Sequence, residues 1–391
     1  MTTRFIHTAD WQLGKPFAGV QDLAKRAVLQ HERIAVLARI AASARAHRAD
    51  FVVVAGDAFD STHATKATVA AACSAIGAMR VPVYLIPGNH DHGGPGSLWE
   101  QSFFRREAAE LCPNLQVLLT PAAVETETAV LFPCPLLRRH EATDTTAWLR
   151  ASSALANLAG SEKPRIVIAH GSTQSFGSAS DDDEGDEAGH NLLDLNRLPP
   201  GTFDYIALGD WHGTKQLATS AWYCGTPERD RFPKGADHDA GNILAVSVGR
   251  GTVAEVQRIP TGRMGWHRLE ITFADDDSVR QFAAQLEALL GPRTGEDLLR
   301  LELQGSLGLE ATTRLEHLLE SYEARLIRLK SVNRTVVAPS ADELAALTTR
   351  ASDPLVARVA SKLVARASGD TEDAAIARVA LRELHAQIHA A

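Results

Sequence analysis

Five short segments between Asp10 and His212 carry residue types that bind cations or move protons. They are Asp10-Trp11-Gln12, Gly56-Asp57-Ala58-Phe59-Asp60, Gly88-Asn89-His90-Asp91, His170-Gly171 and Gly209-Asp210-Trp211-His212. A lone Gly-Asp or His-Gly is structural more often than not, so the ordered set has to carry the argument. Cleaving a phosphodiester at neutral pH needs an attacking hydroxide and neutralised phosphoryl oxygens. Two cations about 3.5–4 Å apart supply both. Such a pair needs a bridging anion, and Asp57 is the best placed. Asp10, Gln12 and His212 complete one cation position, and Asn89, His170 and Asp210 the other. His90 directly follows a ligand and is suited to protonate the leaving group.

These residues need rigid supports, and the flanking sequence provides them. Phe51-Val-Val-Val-Ala55 is a β-branched run ending at Gly56-Asp57, the pattern of a buried strand running into a loop. Further strands are expected at 5–8, 81–86, 116–119, 129–132, 165–169, 205–208 and 242–248. Helical apolar spacing over 20–48 and an Ala-rich stretch at 64–79 predict helices between them. The alternation makes the chain α/β with its chemistry at strand ends. Glycines before Asp57, Asn89 and Asp210 allow tight turns there. Strand alternation points Trp11 and Trp211 away from the cations, as packing beneath the site.

A break near Ile259-Pro-Thr-Gly-Arg263 separates residues 1–262 from a smaller α+β domain at 263–340. Residues 341–391 follow as a helical C-terminal segment, which either packs on its own domain or docks on another chain. The 391 residues suit more than one domain, and 23% charged residues suit a globular protein. No apolar run reaches the roughly 20 residues of a membrane span. The first motif begins almost at Met1, leaving no room for a signal peptide, so the expected location is cytoplasmic. Cys73, Cys112, Cys134 and Cys224 form no C-x-x-C pair and read as buried small residues. A net charge of −8 argues against holding DNA by bulk electrostatics alone.

At these motifs the sequence resembles the calcineurin-like metallophosphoesterases, with their pattern D-x-H, G-D, G-N-H-D/E, H and G-H-x-H. Within them it is similar to the SbcD-type DNA-repair exonucleases, in His7-Thr-Ala-Asp10-Trp-Gln-Leu-Gly14, Gly56–Asp60, Pro87-Gly-Asn-His-Asp91 and Tyr223-Cys-Gly-Thr-Pro-Glu228. The resemblance covers roughly residues 4–260. It implies a four-layer αββα sandwich with a capping domain, two divalent metal ions and an ATPase partner of the SbcC type. Manganese is the expected metal, with magnesium or iron(II) as the other candidates. Three positions depart from the pattern. Gln12 stands in place of a histidine, Asp210 in place of the first histidine of G-H-x-H, and Asp60 where double-strand-break nucleases often set a histidine near the phosphate. The first two departures add oxygen ligands, which favour manganese or magnesium over zinc.

The leading expectation is a DNA exo- or endonuclease subunit acting in repair, with His90 and Asp60 as catalytic residues. A small-substrate phosphodiesterase acting on cyclic nucleotides and a DNA-end-binding scaffold with a degraded metal site are the alternatives. Arg138, Arg139 and His140, and Arg229, Arg231 and Lys234, are candidate phosphate contacts. The acidic run Asp181–Glu187 is expected near the site, damping activity until a partner moves it. A homodimer stays open.

Overall fold

Phe51–Ala55 (β2) shows how the sandwich is built. All five residues are buried, and they alternate between two cores. Val52 and Val54 face the helices, while Phe51, Val53 and Ala55 face a second sheet. The computed structural model describes residues 1–151, 154, 161–173, 190–233, 239–338, 340–369 and 371–390. They form two units, Met1–Met264 and Gly265–Ala391. The acidic run 181–187 and Lys234 lie outside the described residues.

In the first unit the chain lays down Thr2–Thr8 (β1), β2, Val83–Ile86 (β3) and Leu115–Val117 (β4) as parallel neighbours. Helices Leu23–Ala46 (α1), Lys66–Gly77 (α2) and Ser102–Leu111 (α3) connect them and cover the outer face. Asp22 starts α1 by accepting from the Ala24 and Lys25 amides, and Thr65 caps α2 through the Thr68 amide. The chain then crosses to a second sheet of Val124–Glu125 (β5), Val130–Cys134 (β6) and Arg165–His170 (β7). Ser172–Thr173 (β8) and Leu192–Leu193 (β9) form a separate two-stranded ribbon. Tyr205–Gly209 (β10), Lys215–Ala218 (β11) and Ala221–Tyr223 (β12) complete the second sheet. Finally Asn242–Gly249 (β13) and Glu255–Pro260 (β14) return to the first sheet, antiparallel, beside β1.

The resulting orders are β14-β13-β1-β2-β3-β4 and β11-β12-β10-β7-β6-β5. The faces between the sheets bury Phe5, Val53, Ile86, Ile166, Ile168 and Tyr205. Beyond the second sheet, Phe132, Val167, Leu208 and Tyr223 pack against the 3-10 turns Ala147–Arg150 and Leu195–Arg197. Buried polar contacts cross between the sheets, one of them at His7. His7 on β1 meets the Tyr205 hydroxyl at 3.0 Å and the Leu208 carbonyl at 3.2 Å, tying β1 to β10. All four cysteines are free and buried.

The second unit runs Gly265–Phe273 (β15), Asp277–Leu290 (α4), Asp297–Leu307 (β16), Leu309–Arg325 (α5) and Arg328–Val337 (β17). Its three strands are all parallel, in the order β15-β16-β17, and their apolar face packs on both helices. Helices Ala341–Thr348 (α6), Pro354–Arg366 (α7) and Glu372–Ala390 (α8) belong to this unit. Leu347, Ala360 and Leu381 bury a small core with Leu309 of α5. A Ser340–Glu343 capping box opens α6. No described helix is long and apolar enough to cross a membrane.

Candidate metal centre

Parallel strands deliver their carboxyl ends to one edge of each sheet, and every motif lies there. Asp10 follows β1, Asp57 follows β2, and Asn89 and His90 follow β3; His170 ends β7 and Asp210 follows β10. The loops after β1 and β2 are zipped together. Asp10 N–H donates to the Gly56 carbonyl at 3.1 Å and Gln12 N–H to that of Asp57 at 2.9 Å. Leu13 N–H donates to the Ala58 carbonyl at 2.9 Å.

Holding side chains this close demands unusual backbone. Among the described residues, Asp10, Gln12, Asp57 and Asp210 all take positive φ, at 52°, 42°, 54° and 103°. Left-handed backbone is costly for non-glycine residues and concentrates at functional sites, where the surroundings must enforce it. Gly88 shows the crowding: a Cβ there would lie 2.0 Å from Asp57 Oδ1. Asp91 ties two of the loops together, its carboxylate accepting from the Phe59 amide at 3.0 Å and the Gly88 amide at 2.7 Å.

Around His170 the geometry converges. Its Nδ1–H donates to the Ala55 carbonyl at 2.8 Å, which leaves Nε2 to face the centre. Nε2 lies 3.0 Å from Asn89 Oδ1, 3.6 Å from Asp57 Oδ2 and 3.8 Å from Asp210 Oδ1. Ligands about 2.1 Å from a shared cation sit about 3–4.2 Å apart, from cis to trans, so this donor set fits a divalent metal. Asp10, Asp57 and His170 are all buried, with one potential ligand atom each inside a 4.8 Å sphere. The electrostatics agree. Burial alone would lower the His170 pKa, yet Asp57, Asp10 and Asp210 hold it up at about 9. Burial raises the Asp10 carboxyl, and its neighbours Asp57 and Asp210 raise it further. A cluster this rich in negative charge takes up a proton where a cation is not supplied.

Around His212 the picture differs. Its Nδ1–H donates to Asp230 Oδ1 at 3.1 Å, and its Nε2 meets the Gln12 amide nitrogen at 3.3 Å. Gln12 Oε1 accepts from Lys15 Nζ at 2.9 Å. Burial, with Arg231 nearby, lowers the His212 pKa to about 3.

His90 donates from Nδ1 to the Asp60 carbonyl at 2.9 Å, and its Nε2 lies 3.9 Å from Asp57 Oδ2. Burial lowers its pKa, but Asp57 and the Asp60 carbonyl outweigh that, so it rises above the ordinary value. Asp60 thus meets His90 through its backbone, while its carboxylate lies 3.8 Å from Lys15. Arg138, Arg139 and His140 are exposed, and their loop joins that of His90 through the Gly93 amide and the Leu136 carbonyl. Arg231 is tied to Asp230 and Arg229 to the Met264 carbonyl. Trp11 is fully buried and donates to Thr8, whereas Trp211 is half-buried beneath Lys215.

A profile of the family described as calcineurin-like phosphoesterase matches residues 3–214, just over half of the 391-residue chain. The chain belongs to the calcineurin-like phosphoesterase family. Among solved structures, this phosphoesterase is similar to a dimetal phosphatase from Danio rerio. The identity is 13%, the TM-score 0.36, and the match spans 66% of this chain and 99% of that one.

Sequence reading missed several residues that hold the phosphoesterase site. Arg33, buried on α1, donates to the Asp10 carbonyl at 2.9 Å, the Glu228 carbonyl at 2.6 Å and Thr226 Oγ1 at 3.2 Å. Ser172 donates to Asp210 Oδ2 at 2.8 Å. Lys15 and Asp230 frame the Gln12 side. Only Thr226 and Glu228 had a sequence signal, inside Tyr223–Glu228.

Proposed function

We propose that this phosphoesterase hydrolyses phosphodiester bonds in DNA, using divalent metal that Asp10, Asp57, Asn89, His170 and Asp210 would hold, with Gln12 and His212 offering donors to a second, weaker position. The observation that carries this reading is the convergence of Asn89, Asp57 and Asp210 oxygens on His170 Nε2 within 3.0–3.8 Å. These residues would hold a divalent cation, manganese or magnesium by the hardness of the oxygen set, whose chemistry when bound would be to polarise the phosphoryl group and to acidify a water. Asp57 faces both His170 and His90, so the residues that would hold the metal adjoin the proton donor. His90 delivers a proton from Nε2 to the leaving oxygen, because Nδ1–H is committed to the Asp60 carbonyl. Asp60 positions that ring.

DNA as substrate is supported by the SbcD-like motifs and by the exposed Arg138-Arg139-His140 loop joined to that of His90. Docking on an SbcC-type ATPase is supported by Leu355 and Val359 on α7 and Ile376 and Val379 on α8, all exposed. The test is hydrolysis of linear single- and double-stranded DNA with Mn2+, with cyclic nucleotides as a parallel substrate. DNA cleavage is expected to fall by about 10²–10⁴-fold in His90→Ala, with metal content unchanged. Equal rates in wild type and variant would remove His90 from the chemistry. Cleavage of cyclic nucleotides alone would replace DNA as the substrate.

A further inference from the structure

The two halves of the centre handle their lone pairs in opposite ways. In the His212 half, four side chains close a ring of three hydrogen bonds and one ion pair. Lys15 Nζ donates to Gln12 Oε1 at 2.9 Å, the Gln12 amide nitrogen faces His212 Nε2 at 3.3 Å, and His212 Nδ1 faces Asp230 Oδ1 at 3.1 Å. Lys15 Nζ returns to Asp230 Oδ2 at 3.3 Å.

The proton positions follow from chemistry. An ammonium only donates, so the atom it touches on Gln12 must be the carbonyl oxygen. That turns the amide N–H toward His212. A carboxylate only accepts, so His212 Nδ1 carries the proton and Nε2 accepts from Gln12. Gln12 Oε1 and His212 Nε2, the two atoms that would bind a metal in this half, are therefore both engaged. The local chain is shaped for it: Lys15 N–H donates to the Gln12 carbonyl at 3.2 Å, closing a turn through Gly14, whose φ is +90°. Lys15 is buried, its charge balanced by Asp230 and by Asp60 at 3.8 Å.

Building on the metal-centre reading above, we propose that Lys15 is a built-in cation for the Gln12–His212 half. A divalent metal is then held tightly only in the His170 half. Metal entry on the Gln12 side must break the ring and meet the repulsion of a fixed ammonium.

The test is Mn2+ binding to chelator-stripped full-length protein, followed by calorimetry and electron paramagnetic resonance. Wild type is expected to bind one Mn2+ tightly, with the spectrum of an isolated ion. Lys15→Met is expected to tighten a second Mn2+ by at least about tenfold, the scale of residues that orient metal ligands, with a spin-coupled spectrum. Gln12→His keeps Lys15 but removes its acceptor, so it decides the matter should Lys15→Met fail to fold. Two Mn2+ of equal affinity in wild type would overturn the role of Lys15 and leave the metal centre standing. Folded variants that gain no second Mn2+ would do the same. A wild type that binds no Mn2+ would overturn both readings.

Discussion

The His170 and His212 halves each place an imidazole beside an amide side chain, yet they differ in what those groups face. His170 Nε2 faces three oxygens that carry lone pairs. His212 Nε2 points at an N–H of Gln12. The first arrangement is unstable without a positive charge between its members. The second is satisfied as it stands. A ligand list cannot separate them, because both halves contain ligand-capable residues in the expected order. What separates them is the direction of each proton, set by Ala55 behind His170 and by Asp230 and Lys15 around His212 and Gln12.

Replacing each histidine tests that contrast most severely. His170→Ala is expected to lose about 10³-fold or more in kcat, because the metal's charge stabilisation is worth several kcal/mol. It should also lose its tight Mn2+. His212→Ala is expected to lose about tenfold and to keep that Mn2+. Equal losses of activity and metal in the two variants would mean that the halves work as equals.

Arg33→Met probes the support that both halves share. The guanidinium donates to the carbonyls of Asp10 and Glu228, and without it the single hydroxyl hydrogen of Thr226, which lies within reach of both, satisfies only one of them. An unsatisfied buried polar group costs about 1–3 kcal/mol, so a loss of about that size in unfolding free energy is expected. Asp10 holds its positive φ with that help, so metal affinity should fall as well. Denaturant unfolding and Mn2+ titration measure the two effects, and an unchanged unfolding midpoint would remove Arg33 from the scaffold.

The sandwich was legible because its strands are β-branched runs that stop at glycine followed by a chemical residue, as at Ala55-Gly56-Asp57. The motifs also announced which loops converge, since parallel strands send all their carboxyl ends to one edge. The ring around His212 was not legible. Lys15 and Asp230 look like ordinary surface charges, lie far apart in the chain, and meet only because the Asp230 loop folds over the β1 loop. Helix α3, Ser102–Leu111, was missed although Phe104, Ala108 and Leu111 recur at helical spacing and pack on one core. In the second unit, the sequence predicted an α+β domain. The parallel direction of β15, β16 and β17 emerges only from their pairing.

Asp230→Asn sharpens the comparison further. Asp230 is held well below the ordinary carboxylate range: burial opposes its charge, but Arg231, His212 and Lys15 overcome it. The amide keeps the shape and removes the charge that anchors Lys15. Release of Lys15 is expected to change Mn2+ affinity on the Gln12 side by about tenfold, while the His170 side keeps its affinity. Calorimetry reads both, and an equal shift on both sides would show that Asp230 acts on the whole centre.

The smallest effect is expected in the second unit, far in sequence from the metal ligands, where a carboxylate supports fold alone. Asp297 at the start of β16 accepts from the Gly265 amide at 2.9 Å, from Arg293 at 3.1 Å and from His267 at 3.0 Å. Burial opposes its charge, yet His267 and Arg293 outweigh burial and lower its pKa from 3.8. A depressed carboxyl pKa means that the unfolded chain binds the proton more readily than the folded one. The stabilisation is therefore present above the unfolded pKa and is lost as pH falls through the folded value. Hydrogen exchange in β15 and β16 should accelerate below about pH 4, the ordinary range of an aspartate. Asp297→Asn should lose that pH step while leaving Mn2+ binding intact. If the step persists in the variant, another carboxylate of this unit is responsible for it.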